Sequence, residues 1–332
     1  MDRTISLLCP ACQGALATRN SDWNCPSCGR SFGSDSGIPL LFFPNEWDAS
    51  KGDVTDAIKC FYEETPFPNY EETDSVWRLK EKAEKGVFAR LLDEQIPADA
   101  TVLEAGCGTA QLSNFLGIRT ARTVFGTDIC LNSLKLGQDF RLRNNLDNVR
   151  LIQMNLFRPI FPPASFDAVI CNGVLHHTSD PFLGFRTLAG LVKPGGVIVI
   201  GLYNTWGRLT TDFRRWIFRL TGSRFQKLDP RIRKDPTNAL RKRTWFLDQY
   251  KNPHESKHTI GEVQGWFEKT GIDFLSGIPK AVAFESFSGE EKLFEAHARG
   301  SRLDHALVQL GMIFSGGREG GFFVMIGRRR VA

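Results

Sequence analysis

The sequence lacks any apolar run approaching the ~20 residues that a membrane-spanning helix needs. It also lacks the basic segment, apolar run and cleavage site of a secretory leader, because it starts with MDRTISLLCPAC. No internal repeat and no low-complexity segment occurs. The 42% of hydrophobic and 24% of charged residues are ordinary for a globular protein with a sizeable core, so we expect a cytoplasmic protein.

Cysteine is sparse outside one short N-terminal segment. Of the eight cysteines, four are scattered singly, which argues against a disulfide framework. The other four form two CxxC pairs, Cys9/Cys12 and Cys25/Cys28, with twelve residues between the pairs. Each CxxC places two thiolates on one turn, and two such turns complete a tetrahedral zinc site. Because all four ligands come from the protein, we predict a structural Zn²⁺ in a ribbon over residues 1–44.

From residue 101 to residue 332, strand patterns alternate with helix patterns. Strands separated by helices predict an α/β domain built on a parallel sheet with right-handed crossovers. Between this domain and the ribbon, residues 45–100 are predicted to be a helical linker, with one helix over about Asp74–Gln95. Its FYEETPFPNY segment, which holds Tyr62 and Tyr70, either covers a bound cofactor as a lid or simply docks onto the core.

A glycine-rich turn follows the first strand of this domain. Glu104 precedes two glycines, Gly106 and Gly108, which permit a tight turn and a close approach of a ligand to the backbone. Such a turn could bind NAD, but the third glycine of the NAD pattern is missing, and Gln111 stands in its place. Asp128 ends the second strand, where a carboxylate can accept the ribose hydroxyls of an adenosine or cap the next helix.

This ordered set of positions resembles the class I S-adenosylmethionine-dependent methyltransferases of the small-molecule or C-methylating type, here with an N-terminal zinc ribbon. The segment Asn172–His177, NGVLHH, is similar to the fourth motif of that family, and KPGGVIVI to the turn and strand after it. The resemblance implies a Rossmann-like, seven-stranded, doubly wound sheet. It also implies a bound S-adenosylmethionine held by Glu104, Gly106, Gly108, Asp128, Asn155, Leu156 and Asn172.

Two residues are candidates for the chemistry. Methyl transfer from a sulfonium needs positioning, and it needs a base only where the nucleophile carries a proton. His177 and Tyr203 follow the fourth and fifth strands, and each is either catalytic or a local hydrogen-bonding residue. The fourth motif is not (N/D)PP(Y/F), which disfavours methylation of exocyclic amines.

A basic insertion over residues 205–258 interrupts the alternation. The stretch from Trp206 to Trp245 contains twelve Lys and Arg residues but only three Asp residues. This excess is open to three interpretations: an RNA-binding surface, a peripheral contact with an anionic membrane, or a solvated cap over the substrate.

Three functions remain open at this point. The first is methylation of a small or lipid-like metabolite on carbon or oxygen, which the LHH motif favours. The second is an rRNA or tRNA base methyltransferase, which the ribbon and the basic segment favour. The third is a non-catalytic assembly partner. The intact glycine turn and Asp128 argue against this third function.

Overall fold

The computed structural model describes residues 5–19, 22–47, 52–66, 70, 74–234 and 239–331. A mixed sheet of nine strands lies beside a three-stranded N-terminal sheet. The strands are β1 (Ala17–Arg19), β2 (Asp22–Asn24), β3 (Ser31–Phe32), β4 (Ser34–Asp35), β5 (Ile38–Leu41), β6 (Thr101–Ala105), β7 (Thr123–Asp128), β8 (Val149–Met154), β9 (Phe166–Asn172), β10 (Val192–Tyr203), β11 (Ile272–Ile278) and β12 (Phe322–Arg329). The helices are α1 (Thr55–Glu64), α2 (Val76–Lys85), α3 (Phe88–Gln95), α4 (Gln111–Gly117), α5 (Leu131–Arg143), α6 (Pro181–Leu191), α7 (Leu209–Leu220), α8 (Pro230–Lys234), α9 (Ala239–Lys251), α10 (Ile260–Lys269) and α11 (Arg302–Glu319).

The large sheet has the order β11-β12-β10-β9-β6-β7-β8-β5-β4. Neighbouring strands from β10 to β5 pair in parallel, as predicted for strands joined by helical crossovers. β12 is antiparallel to both β10 and β11, so the sheet is mixed and the purely parallel prediction is wrong at this edge. The predicted α/β, Rossmann-like class is confirmed. Strand order reverses between β6 and β9, and open α/β sheets bind ligands at such switch points.

The sheet is two strands wider than the seven strands predicted. The additional strands come from the N-terminal segment: β4 pairs with β5, and β5 adds in parallel to β8. The reason is that the IPLL run, predicted to belong to the ribbon, pairs with the edge of the main sheet instead. The strands β4 and β5 of the predicted ribbon therefore share one sheet with the strands of the domain predicted over residues 101–332.

Two helical regions also differ from the prediction. The single helix expected over Asp74–Gln95 is divided into α2 and α3, because α2 ends at Gly86 and Val87 has a φ of 33°. The basic segment, which interrupts the predicted alternation, contains three helices, α7, α8 and α9, within its described residues. A capping box of Thr259 and Glu262 is present at the start of α10.

Buried apolar residues cover both faces of the main sheet. Successive strand residues such as Val102 and Leu103, or Val124 and Phe125, belong to opposite faces, as strand geometry requires. Helices α2 to α5 cover one face, and α6 and α10 cover the other. None of the helices in the described ranges combines the length and the apolarity needed to cross a bilayer.

Candidate active-site cavity

A cavity of about 690 Å³ lies at the switch point, where β6, β7, β9 and β10 end. Its position follows from the topology, because the loops after β6 and β9 diverge there. The cavity brings together every residue predicted to bind cofactor or to act in catalysis. These are Glu104, Gly106, Gly108, Asp128, Asn155, Leu156, Asn172, His177 and Tyr203.

The glycine turn after β6 uses its own N–H groups within the protein. Gly106 N and Cys107 N donate to Thr127 O at 2.7 and 3.0 Å, and Gly108 N donates to Asp128 Oδ2 at 2.8 Å. Gly106 and Gly108 have φ of 72° and 53°, the left-handed region that favours glycine. A turn that binds pyrophosphate must direct its N–H groups at the ligand. This turn does not, which argues against the NAD alternative.

Two carboxylates stand on either side of this turn. Glu104 is buried and accepts a hydrogen bond from Ser113 Oγ, and burial raises its pKa to about 7. Asp128 accepts bonds from the backbone N–H groups of Gly108 and Cys130, and burial raises its pKa too. Both side chains line the cavity. The turn therefore presents two carboxylate acceptors for hydroxyl or ammonium groups, while the N–H groups of Gly106, Cys107 and Gly108 are already bonded within the protein.

The side chain of Asn155 has a different environment from the one predicted. Its Nδ2 donates to Phe43 O at 2.9 Å and to Asn45 Oδ1 at 2.8 Å, and its Oδ1 accepts from Phe157 N. These bonds tie the chain after β5 to the end of β8. Both Nδ2 hydrogens of Asn155 therefore already have acceptors, which leaves the second lone pair of Oδ1 for a bound cofactor, and the contact of Asn155 with the cofactor stays a prediction. Leu156 retains its predicted place in the cavity wall.

Asn172 and Phe322 approach each other over a glycine of β10. A Cβ on Gly201 would collide with Asn172 Oδ1 and with the Phe322 ring. Glycine at 201 thus lets two cavity-lining side chains lie directly above the strand. The sequence analysis did not identify Gly201 or Phe322, and the small residue inside the VIVIGLY strand was the available signal.

His177 lies in a short 3₁₀ turn after β9, and its ring lines the cavity. Its Nδ1 lies 2.7 Å from His254 O, and because a carbonyl can only accept, Nδ1 carries the proton. Nε2 is then the acceptor nitrogen of a neutral ring. Burial lowers the pKa of His177, although the Asp248 carboxylate opposes this effect. The ring is therefore neutral at neutral pH and has the protonation state of a base.

Tyr203 ends β10 beneath a buried guanidinium. Arg208 Cζ lies 3.7 Å from the centroid of the Tyr203 ring, and Gln249 Nε2 donates to the phenol oxygen at 2.6 Å. Arg208 and Arg215 both pair with Glu255. Burial acts to raise the pKa of Glu255, but the two arginines lower it by more, so this pKa lies below its usual value. Burial raises the pKa of Tyr203, so it stays a neutral phenol that can donate a hydrogen bond.

Comparison with known proteins identifies this region. A family model described as a methyltransferase domain matches residues 103–200. The chain carries an S-adenosylmethionine-dependent methyltransferase domain. It is similar to an uncharacterised protein of Synechococcus, 27% identical over 67% of this chain and 60% of the relative. It is also similar to an uncharacterised methyltransferase of Mycobacterium bovis, 32% identical over 40% of this chain and 64% of the relative.

A solved structure supports the fold of the methyltransferase domain. PKMT2 from Rickettsia typhi, in complex with AdoHcy, superposes with a TM-score of 0.53 at 16% identity, over 74% of this chain and 52% of that chain. The chain spans less than two thirds of the length of the two sequence relatives, 60% and 64%.

The opposite wall of the methyltransferase cavity contains polar residues that the sequence analysis missed. Tyr62 Oη donates to Asp248 Oδ1 at 2.8 Å, and Gln249 Nε2 donates to Asp248 Oδ2. Tyr62 was one of two lid candidates, and it lines the cavity. Tyr70 does not, because it stacks on Phe140 and bonds Asn114. The available signal for this wall was the pair of polar residues Asp248 and Gln249 within the otherwise apolar WFLDQY run. Both are buried in the structure.

Residues 67–69 of the predicted lid lie outside the described residues. For the described part, α1 contributes Thr55 and Ile58 to the cavity wall in addition to Tyr62. The first helix of the linker therefore forms part of the cavity.

The four N-terminal cysteines converge at the edge of the methyltransferase domain. Their Sγ atoms lie within 4.8 Å of one another, with Cys9–Cys28 at 3.7 Å and Cys12–Cys25 at 3.5 Å. Tetrahedral zinc with Zn–S bonds of ~2.3 Å requires sulfurs about 3.8 Å apart, so the donor set fits this ion. Two hydrogen bonds to backbone carbonyls dock the ribbon, from Leu8 N to Ile160 O and from the side chain of Gln13, Nε2, to Pro159 O.

Proposed function

We propose that the chain transfers a methyl group from S-adenosylmethionine to a small or lipid-like acceptor, on carbon or oxygen. One observation carries the proposal. A single cavity joins the carboxylates of the glycine turn, Glu104 and Asp128, to a neutral imidazole, His177, and a phenol, Tyr203. Such a combination suits a cationic cofactor at one end and a nucleophile at the other.

The cofactor end fits S-adenosylmethionine by the chemistry of its side chains. Asp128 can accept the two ribose hydroxyls, and Glu104 can hold the cationic methionine end. Leu156 and Met154 offer an apolar surface for the adenine ring. When bound, the cofactor supplies a methyl group made electrophilic by the neighbouring sulfonium. The chain's own residues then have to orient an acceptor and exclude water.

At the acceptor end, His177 is the proposed base. Its Nδ1–H is held by His254 O, so Nε2 can take the proton of an acceptor hydroxyl or acidic C–H as the new bond forms. Tyr203 is the proposed hydrogen-bond donor to the same acceptor. Gln249 donates to its oxygen and Arg208 covers its ring, which fixes the orientation of the phenol.

An apolar acceptor is favoured by the walls around these groups. Ile278 and Phe322 line the active-site cavity and also a second cavity of about 550 Å³ between α11 and residues 278–287. The second cavity is lined mainly by apolar side chains such as Val282, Val308 and Met312. An acceptor with an apolar tail can place its reactive atom by His177 and its tail toward this second space.

The four cysteines are proposed to hold one structural Zn²⁺. Its loss would remove the cross-link of the ribbon, which docks on Ile160 and continues into β5. The expected result is one equivalent of zinc by metal analysis of the purified chain. Zinc should be absent from a Cys9→Ser/Cys12→Ser variant. An equal zinc content in wild type and variant would contradict the proposal.

Calorimetric titration of the full chain tests the cofactor part of the proposal. S-adenosylmethionine should bind at one site, and NAD should give no heat of binding, because the N–H groups of Gly106, Cys107 and Gly108 are already bonded within the protein. Binding of NAD with absence of S-adenosylmethionine binding would overturn it.

A further inference from the structure

Helix α7 carries a row of exposed apolar side chains. Leu209, Phe213, Trp216 and Leu220 follow one another at four-, three- and four-residue steps, which places them on one side of the helix. Phe213 is 61% and Trp216 58% exposed, and their rings stack on each other. The opposite side of the helix packs inward through Phe218, which contacts Phe246 and Tyr250 of α9. The row is therefore a surface without a partner among the described residues.

The turn after α7 continues this surface with both apolar and cationic groups. Phe225 and Leu228 are 56% and 49% exposed. Arg231 is also exposed, but its guanidinium lies over the Trp245 ring and it lines the active-site cavity. The other exposed cations of the same stretch are Arg219, Arg224, Lys227 and Arg233. We call the four residues of the α7 row, Phe225, Leu228 and these cations the basic apolar face.

No carboxylate is exposed within the described stretch 209–233. Asp212 is held by Arg215 and Lys257. Asp229 is buried, where it accepts hydrogen bonds from Tyr250 Oη at 2.6 Å and from Trp245 Nε1. The field of the basic apolar face is therefore positive throughout, and an anionic partner complements it.

The neighbouring helix α11 repeats the apolar half of the pattern. It packs against α7 and exposes Leu303, Leu307, Leu310 and Phe314 at the same four-, three- and four-residue steps. Among its described side chains, Arg302 is the exposed charged residue. Leu307 also lines the second cavity, so this helix connects the exposed surface to the proposed acceptor space.

We propose that the basic apolar face docks on the surface of an anionic lipid membrane. Aromatic and leucine side chains can enter the boundary between headgroups and acyl chains, while arginine and lysine bind the lipid phosphates. RNA would use the cations but would leave the leucines in water. A second copy of the chain would bring the same cations together across a two-fold axis, where they repel each other.

Vesicle sedimentation of the full chain tests this proposal without reference to methyl transfer. We expect the protein to bind vesicles of equal parts phosphatidylglycerol and phosphatidylcholine, and to remain free with phosphatidylcholine alone. High salt should weaken binding, because the exposed cations are screened. Phe213→Ser/Trp216→Ser should lower the partition coefficient roughly tenfold. Arg219→Gln/Arg224→Gln/Lys227→Gln should lower it by about tenfold or more.

Matched variants on other surfaces control for general changes in charge and polarity. Trp77→Ser/Leu142→Ser removes two exposed apolar side chains, and Arg78→Gln/Lys85→Gln/Arg119→Gln removes three exposed cations. Both should bind anionic vesicles like the wild type. Circular dichroism and thermal unfolding should show that all variants remain folded, since every altered side chain is exposed.

Three results would overturn the proposal. The first is absence of wild-type binding to the anionic vesicles, or unchanged binding by the folded Phe213→Ser/Trp216→Ser variant. The second is that the protein binds poly(U) RNA more tightly than vesicles, and that only the Arg219→Gln/Arg224→Gln/Lys227→Gln variant loses this RNA binding. The third is a dimer in sedimentation velocity that the apolar variant abolishes, without any vesicle binding.

Discussion

The two ends of the active-site cavity are built in different ways. At the cofactor end, Glu104 and Asp128 stand on neighbouring parallel strands, and each is fixed by backbone or near-neighbour bonds. At the acceptor end, Tyr62, Tyr203 and Asp248 come from distant parts of the chain and meet through side-chain bonds. The cofactor end therefore depends on strand geometry, whereas the acceptor end depends on how α1 and α9 pack. Variants at the two ends should separate cofactor binding from methyl transfer.

The largest effect is expected at the acceptor end. His177→Ala removes the proposed base, so the rate of methyl transfer should fall by about 10²- to 10⁴-fold. The affinity for S-adenosylmethionine should stay close to that of the wild type, because the proposed cofactor contacts are those of Glu104 and Asp128 and do not include His177. Single-turnover kinetics and calorimetry on the same preparation measure the two quantities.

The neighbouring histidine provides a control for His177. His176 is buried, does not line the cavity, and its two ring nitrogens lack hydrogen-bond partners. His176→Phe should therefore transfer methyl groups at close to the wild-type rate. Equal losses in the two variants would show that packing of the turn, and not a base at His177, sets the rate.

At the cofactor end, Asp128→Ala should weaken S-adenosylmethionine binding roughly hundredfold, since each hydrogen bond to a charged group contributes about 1.5–3 kcal/mol. Calorimetric titration measures this loss. Asp180→Ala is the matched control, because Asp180, like Asp128, accepts hydrogen bonding from backbone N–H but lies outside the cavity. It should lower stability by about 1 kcal/mol and leave affinity unchanged. Similar affinities in the two variants would remove Asp128 from the cofactor site.

A smaller effect is expected where the two ends meet. Gly201→Ala places a methyl group against Asn172 and Phe322, and overpacking of this kind costs about 1–3 kcal/mol of folding stability. Gly265→Ala in α10 meets open space and should stabilise the protein by about 1 kcal/mol. Urea unfolding compares the two variants. Equal stability of both would mean that the strand accommodates a Cβ at 201.

The smallest effect is a pH dependence of cofactor affinity. Burial raises the pKa of Glu104 from 4.5 to about 7, so the carboxyl is neutral in acid and ionised above neutrality. Its contribution to the stability of the ligand-free protein is present below pH 4.5 and is lost as pH rises through about 7. Affinity for the cationic cofactor should change in the opposite direction, rising with pH by at most about tenfold per unit up to pH 7. Glu104→Gln should flatten this profile, and an unchanged slope would assign it to another group.

The sequence predicted the cofactor end well because its signals are local. A strand, an acidic residue and two glycines within a few positions determine both the turn and the side chains near it. The convergence of the four N-terminal cysteines was predictable for the same reason, since each CxxC pair forms one turn. Asn155 shows the limit of this approach, because the partners of its amide, Phe43 and Asn45, lie more than a hundred residues away.

The acceptor end was only partly predictable. His177 and Tyr203 follow strands whose ends were recognisable, but Asp248 and Gln249 lie on a helix whose position depends on tertiary packing. The position of strand β5 was not predictable either, because no local signal distinguishes a ribbon strand from one that joins the edge of a large sheet. The positions of Asp248, Gln249 and β5 thus depend on contacts between residues that are far apart in the sequence, which local patterns do not reveal.

The most direct test of the whole account is transfer of labelled methyl from S-adenosylmethionine to a cell extract, followed by fractionation into RNA, protein, lipid and small molecules. We predict label in the lipid or small-molecule fraction, reduced to background by Asp128→Ala and by His177→Ala but not by His176→Phe. Label confined to RNA or protein would contradict the proposed acceptor. Absence of transfer to any fraction, together with unmeasurable binding of the cofactor, would contradict the proposed activity.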